Sequence, residues 1–288
     1  MALREIAGRY VGQILRDDVP GLAAELAYRF MFAIFPFAIF VVALSGFMAR
    51  WLGIVNPSDQ ILKTVGSSLP SDLIGPVRTQ LEAALAHTEP QLLSLGALVT
   101  LWAATGGFNT LTKAMNRAYG VRETRPLALR LGLGALLAFL GGMAIVVSFV
   151  AIVGGTLATK SVVAQLGLAP FWPTLTLLRW PAAFVLLVAA VAGLLRYAPD
   201  FRTPWRWAAT AAMAFAVVWL AVTYGFGLYV ARFAGYDATY GALAGVIVLM
   251  LWFYLTSFVL LCAAELAALL VSRHSPPAGT GSAESAPR

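Results

Sequence analysis

Six stretches of about 20 apolar residues recur along the chain, and no other feature limits its fold so strongly. A helix rising about 1.5 Å per residue needs roughly that length to cross a hydrocarbon layer about 30 Å thick. The stretches lie at Ala27–Trp51, Leu92–Phe108, Leu131–Gly155, Leu175–Tyr197, Trp207–Val230 and Gly241–Val271. In lipid no water satisfies backbone N–H and C=O groups, so apolar runs of this length become helices that bond internally. The expected class is an all-α polytopic membrane protein with six transmembrane helices. Uneven run lengths predict differing tilts, and the sixth is expected to emerge into the cytoplasm before its end.

Composition says the same. The chain is 60% hydrophobic and 11% charged, against about 45–50% and about 25% in soluble domains. A soluble core of 288 residues could not hide so many apolar side chains, whereas lipid can face them. Several spans fit in that length, but no large extra domain does. Cys262 is the single cysteine and excludes an internal disulfide. With only His87 and His274 beside it, a Cys/His metal site has no basis, and metal chemistry would need carboxylates. Neither a metal nor a cofactor is expected. The first thirty residues have no small-residue cleavage site after a short apolar core, so insertion is expected through the first helix rather than a removable signal.

Lys and Arg placement sets the orientation. Thirteen of the 20 basic residues fall in one set of loops and ends: Arg4, Arg9 and Arg16, then Lys113 to Arg130, then Arg196, Arg202 and Arg206, and finally Arg273 and Arg288. Five fall in the other set, Arg50, Lys63, Arg78, Lys160 and Arg232. Both termini are thus expected in the cytoplasm. Residues 1–26 read as an amphipathic cytoplasmic or interfacial segment, 27–271 as the membrane domain and 272–288 as a flexible Pro/Gly/Ser/Ala tail. The net charge of +7 then reflects topology and attraction to anionic lipid, not nucleic acid. The bilayer is the expected partner, with anionic lipid at the cytoplasmic face; homo-oligomerisation is left open.

The connection between the first two spans is the longest. Two segments within about 58–88 begin with Ser58-Asp59 and Ser71-Asp72 after prolines and then space apolar residues three or four apart. That pattern predicts two short amphipathic helices on the outer surface, serving as a cover or as a lid.

Polar groups within a span are costly and usually face the bundle interior, so they are the first candidates for function. Glu25 and Arg29 stand one helical turn apart with Tyr28 beside them; Arg29 either pairs or snorkels to the headgroups. Pro36 should kink the first span. The second span ends in Gly106-Gly107 and then places Asn109, Lys113, Asn116 and Arg117 on one helical face. Such a stripe suits a phosphate or carboxylate headgroup, or is an ordinary positive-inside extension. Glu265 is the acid deep in the last run, expected to pair with Arg29 or Lys113 or to take up a proton. Gly241 and Gly245 form a small-xxx-small pattern that permits close helix contact. No phosphate-binding loop and no Gly-x-Ser-x-Gly nucleophile motif occurs, so an enzyme is not expected.

Several ordered segments carry a resemblance. They are Leu26-Ala-Tyr-Arg-Phe-Met-Phe-Ala-Ile-Phe-Pro-Phe37, Leu101-Trp102, Asn116-Arg-Ala-Tyr-Gly120, Tyr240-Gly-Ala-Leu-Ala244, Leu251-Trp-Phe-Tyr254 and Ala264-Glu-Leu266. Together, over roughly 10–272, they resemble the YihY/virulence factor BrkB family of bacterial membrane proteins. The family's last motif resembles Gly-Ala-Glu-Leu-Asn-Ala, whereas here Cys262-Ala-Ala precedes Glu265 and Ala267 stands in place of Asn. The resemblance implies a multi-pass protein of the bacterial inner membrane, once mislabelled as a ribonuclease. Hydrolysing RNA would need a metal cluster or an acid/base pair within reach of RNA. The expected function is a transporter or lipid-handling protein with a polar cavity among spans one, two and six. The alternative is a non-transporting scaffold whose basic face binds a partner or anionic lipid, and a membrane ribonuclease is a distant third.

Overall fold

The computed structural model describes residues 2–51, 62, 75, 78–79, 90–137, 139–140, 172–232 and 242–274. Among them seven α-helices form and no strand does. α1 spans Ala2–Arg16, α2 Val19–Trp51, α3 Pro90–Ala118, α4 Leu127–Leu137, α5 Trp172–Tyr197, α6 Trp205–Arg232 and α7 Ala242–His274.

Among the described residues three helices are long and apolar enough to cross a membrane: Val19–Ala38 within α2, Trp205–Arg232, and Ala244–Ser272 within α7. The 28 residues of α6 extend about 42 Å, more than the hydrocarbon core requires. Side chains on the outside agree with lipid as the neighbour. Trp102 is 81% exposed and Tyr224 72%, and soluble proteins rarely leave such large apolar groups in contiguous patches. This is a helical membrane protein. α3 and α5 overlie the second and fourth apolar stretches, and α4 opens the third. The remainder of that third stretch, nearly all of 58–88 with its expected amphipathic helices, Gly241 and the tail from 275 lie outside the described residues.

α2 begins eight residues before the apolar stretch that starts at Ala27. The break before it falls at Asp18, whose φ of 54° is left-handed, a conformation that Asp tolerates better than bulkier residues. Gly21 leaves room for the Asp18 carboxylate, which lies 2.6 Å from where a Cβ would stand. α2 then runs as a helix through Pro36.

The chain divides into two compact units. One comprises Met1–Tyr28, Phe108–Arg130 and Ala182–Arg288; the other comprises Arg29–Gly107 and Leu131–Pro181. In the first, α6 packs along α7. α6 buries Ala208, Ala211, Ala212, Phe215 and Ala216, a stripe spaced three and four residues apart whose small members let backbones approach. Trp219 Nε1 donates to Thr256 Oγ1 at 3.1 Å, and its ring meets Trp252 edge-on at 6.3 Å. The C-terminal half of α7, from Ser257 to Val271, is buried on most of its faces. α1 rests on it, tied by the Tyr10 hydroxyl donating to the Cys262 carbonyl at 2.7 Å. Burial at this contact pushes the Tyr10 phenol above its usual range.

In the second unit, α2 and α3 meet at the two glycines. A Cβ on Gly106 would stand 3.2 Å from Arg29 Nη1, and one on Gly107 would stand 3.4 Å from Phe30 Cε1. Glycine there leaves space for those α2 side chains.

Candidate functional site

The end of α3 is shaped by one glycine. Val121 N–H donates to the Asn116 carbonyl at 2.9 Å and Gly120 N–H to the Arg117 carbonyl at 3.0 Å, the paired bonds of a Schellman stop. That stop needs a left-handed residue, and Gly120 supplies it with φ 62°. The chain therefore turns back sharply, and residues 121–125 fold against the helix that precedes them.

A polar lock follows from this turn. Asn116 is buried and spends both ends of its amide: Nδ2 donates to Glu123 Oε2 at 2.8 Å, and Oδ1 accepts from the Asp200 N–H at 2.7 Å. Arg125 holds Glu123 through Nε at 2.6 Å and Nη2 at 2.9 Å, a bidentate charge-assisted pair. The same Nη2 donates to the Ala198 carbonyl at 2.9 Å. These bonds join the α3–α4 connection to the α5–α6 connection. The Arg125 guanidinium holds the Glu123 carboxyl below its usual range, and the Thr124 donors do the same for Asp200. Beside them Tyr119 stacks on Phe201 at 5.2 Å, and burial pushes its phenol up to about 12. Thr203 is fully buried and donates to the Tyr119 oxygen at 2.8 Å. Arg196 donates to the Thr203 carbonyl and lies 5.0 Å over the Trp205 ring.

Against this lock lies a cavity of about 320 Å³. All four members of the α3 stripe, Asn109, Lys113, Asn116 and Arg117, line it, together with Thr112. Val121, Glu123 and Arg130 complete the wall. Its charge is lopsided: three cations face one carboxylate, and that carboxylate is already engaged. Two polar atoms of these lining residues, Asn109 Oδ1 and Arg130 Nε, are sealed from solvent without a hydrogen-bond partner. What such an arrangement can do is bind an anion.

The other candidates sit elsewhere. Glu25 reaches α3, accepting from the Thr110 hydroxyl at 3.0 Å and standing 4.0 Å from Lys113 Nζ. Tyr28 is more than half exposed, Arg29 belongs to the second unit beside Gly106, and Gly245 is open with nothing near its Cβ position. Glu265 is buried on α7 with Oε2 unpartnered. The carboxylate 4.0 Å from the Lys113 ammonium is that of Glu25. Charges whose fields reach Glu265 are Asp17, Arg16 and Arg117. This cavity lies beside α3 and the α3–α4 connection. Among the described residues no three His, Cys, Asp or Glu side chains gather to hold a metal. Glu123, Arg125, Asp200 and Arg130 are the residues that the sequence reading missed as a group; the visible signal was two acids, Glu123 and Asp200, set in otherwise basic connections.

Residues 10–287 match the family described as virulence factor BrkB. The chain belongs to that family. Among its relatives, YfkH of Bacillus subtilis, whose name calls it ribonuclease-like, is 29% identical over 279 residues, covering 96% of this chain and 97% of its own. A UPF0761 membrane protein of Methylibium petroleiphilum is 28% identical over 260 residues, 89% of this chain but 60% of that protein, so the chain spans about three fifths of that relative. Another, from Alteromonas mediterranea, is 25% identical over 91% of this chain and 86% of its own. No solved structure matches.

Proposed function

We propose that this BrkB-family protein is a membrane transporter or lipid-handling protein, and that the cavity at the end of α3 receives the anionic group of its substrate. The cavity carries the reading: Lys113, Arg117 and Arg130 line it with one acid, Glu123, which Arg125 and Asn116 already hold, while Glu25 stands 4.0 Å from Lys113. With Glu123 so engaged, the site offers binding groups and no free base, which supports a non-catalytic role. The thirteen-to-five partition of basic residues supports six spans with both termini in the cytoplasm of a bacterium. The cavity would then open at the inner face of the inner membrane, where anionic headgroups gather.

The experiment reconstitutes the purified full-length protein in vesicles of phosphatidylcholine carrying fluorescent phosphatidylglycerol. Protein-dependent movement of the label between leaflets is expected, and Lys113→Glu/Arg117→Glu should abolish it. Retention of phosphatidylglycerol by native mass spectrometry, with no movement by the wild type, would replace transport with a scaffold that docks on anionic lipid. Cleavage of RNA that survives purification and is lost in Glu123→Gln would overturn the non-catalytic reading.

A further inference from the structure

We propose that Glu265 binds a proton in step with the anion of the cavity, so that the two are taken up together. The inference rests on the anion-binding reading above and adds the ion coupled to it. It starts from a carboxylate that nothing satisfies. Glu265 is 1% exposed, its Oε2 is sealed without a hydrogen-bond partner, and no ion pair among the described residues includes it. An ionised carboxylate held that way is costly, and the group escapes the cost by taking a proton. A proton needs no void of its own, so an oxygen closed to water-sized molecules can still carry one.

The charged and titratable groups around Glu265 decide what that proton answers to. Tyr10, Arg16 and Asp17 come from α1 and the turn behind it, Arg117 and Tyr119 from the end of α3, and Cys262 from α7 itself. Among the described residues no ionisable side chain of α6, which packs along α7, joins them. Arg16 Nε stands 3.7 Å from Asp17 Oδ1, so the fields of these two oppose each other at Glu265. Arg117 is the remaining cation, and it also lines the cavity. One guanidinium is thus shared between two sites. With the cavity empty, Arg117 supplies the positive field that an ionised carboxylate needs. An anion seated on Arg117 offsets that field, and Glu265 then takes a proton from water. The reverse follows by linkage: a protonated Glu265 leaves Arg117 to the anion. A phosphodiester anion and one proton together carry no net charge, which lowers the cost of entering a low-dielectric layer.

The test uses the full-length protein in phosphatidylcholine nanodiscs, with dioctanoyl phosphatidylglycerol as the probe. Its phosphodiester keeps a single charge across neutral pH, so a proton that moves on binding belongs to the protein. Affinity by calorimetry is expected to rise at least about fivefold from about pH 8 to about pH 5, the lower end of coupling between two sites. Titrations in two buffers of unlike ionisation enthalpy should show proton uptake within that window. Glu265→Gln, a neutral isostere, should bind with one affinity throughout and take up no proton; the wild-type uptake is measured without the variant. Wild-type binding that ignores pH and takes up no proton would overturn the coupling and leave the anion site intact. A pH dependence that persists in Glu265→Gln would overturn it as well, by assigning the proton to another group. Absence of binding at every pH would overturn the anion site beneath it.

Discussion

Thr124 grips Asp200 twice, placing its backbone N–H at 2.8 Å and its hydroxyl at 2.6 Å on the same Oδ2. The partners are 76 positions apart, one in the α3–α4 connection and one in the α5–α6 connection. Arg125 Nε stands 3.7 Å from the other oxygen, Oδ1, so the carboxylate closes a pair of loops that the helices alone would leave free. The wall of the cavity is held by this closure, since Glu123 lies between Asn116 and Arg125.

Acid should open it. Asp200 and Glu123 both titrate below the usual carboxylate range. A depressed folded pKa means stability that is present above the unfolded value near 4 and is lost as pH falls through the folded value. The melting temperature in detergent is expected to hold from pH 7 to about 5 and to decline below about 4. Asp200→Asn should melt lower than wild type at pH 7 and show a flatter decline under acid. Parallel pH profiles for the two proteins would remove the Thr124–Asp200 grip from the account.

Gly120 tests the turn that builds the site. Nothing stands within 4 Å of the position that a Cβ would take, so Gly120→Ala meets no steric obstacle and pays only for its left-handed backbone. The expected loss is about 1–2 kcal/mol, read as a lower denaturation midpoint with an unchanged slope. Gly120→Asn should recover part of it, because Asn visits that region more readily. A midpoint unaltered by Gly120→Ala would mean that the α3 stop is held by tertiary contacts instead.

How much of this was legible depends on the range of the interaction. Asn109, Lys113, Asn116 and Arg117 recur at three- and four-residue steps, and helical geometry alone puts them on one side; all four line the cavity. Apolar runs long enough to span are equally local. The start of α2 at Val19 was hidden because Glu25 and Arg29 lower the hydropathy of its first turns, while the group that satisfies Glu25, Thr110, is 85 residues distant. Asp200 and Thr124 share nothing in the sequence that predicts their meeting. Counting basic residues for orientation discards acids, so Glu123 and Asp200 passed unweighted although they organise the lock.

Glu265 separates pairing from some other use of a buried carboxylate. Its Oε2 is enclosed without a partner, and removing one member of a buried ion pair costs about 3–5 kcal/mol. With no such pair among the described residues, Glu265→Gln should keep the melting temperature at pH 7 within about a degree of wild type or raise it. A fall of several degrees would reveal a cation that neutralises the group. Unchanged stability with lost lipid movement would instead mark the carboxylate as working, in keeping with its position on the most buried half of α7.

The α6–α7 pair offers a contrast between a bond and a fit. Trp219 and Thr256 share a hydrogen bond of 3.1 Å, yet interhelical hydrogen bonds in membranes average only about 0.6 kcal/mol, because the separated helices find other partners. Thr256→Val is therefore expected to cost under about 1 kcal/mol. Ala212 is fully buried within the stripe of small residues on α6, and a leucine there would force the packed surfaces apart for about 1–3 kcal/mol. Steric trapping or denaturation in mixed micelles can rank the two. Ala212→Leu should be the more damaging, and the reverse order would mean that polar contacts, not close approach, hold these helices together.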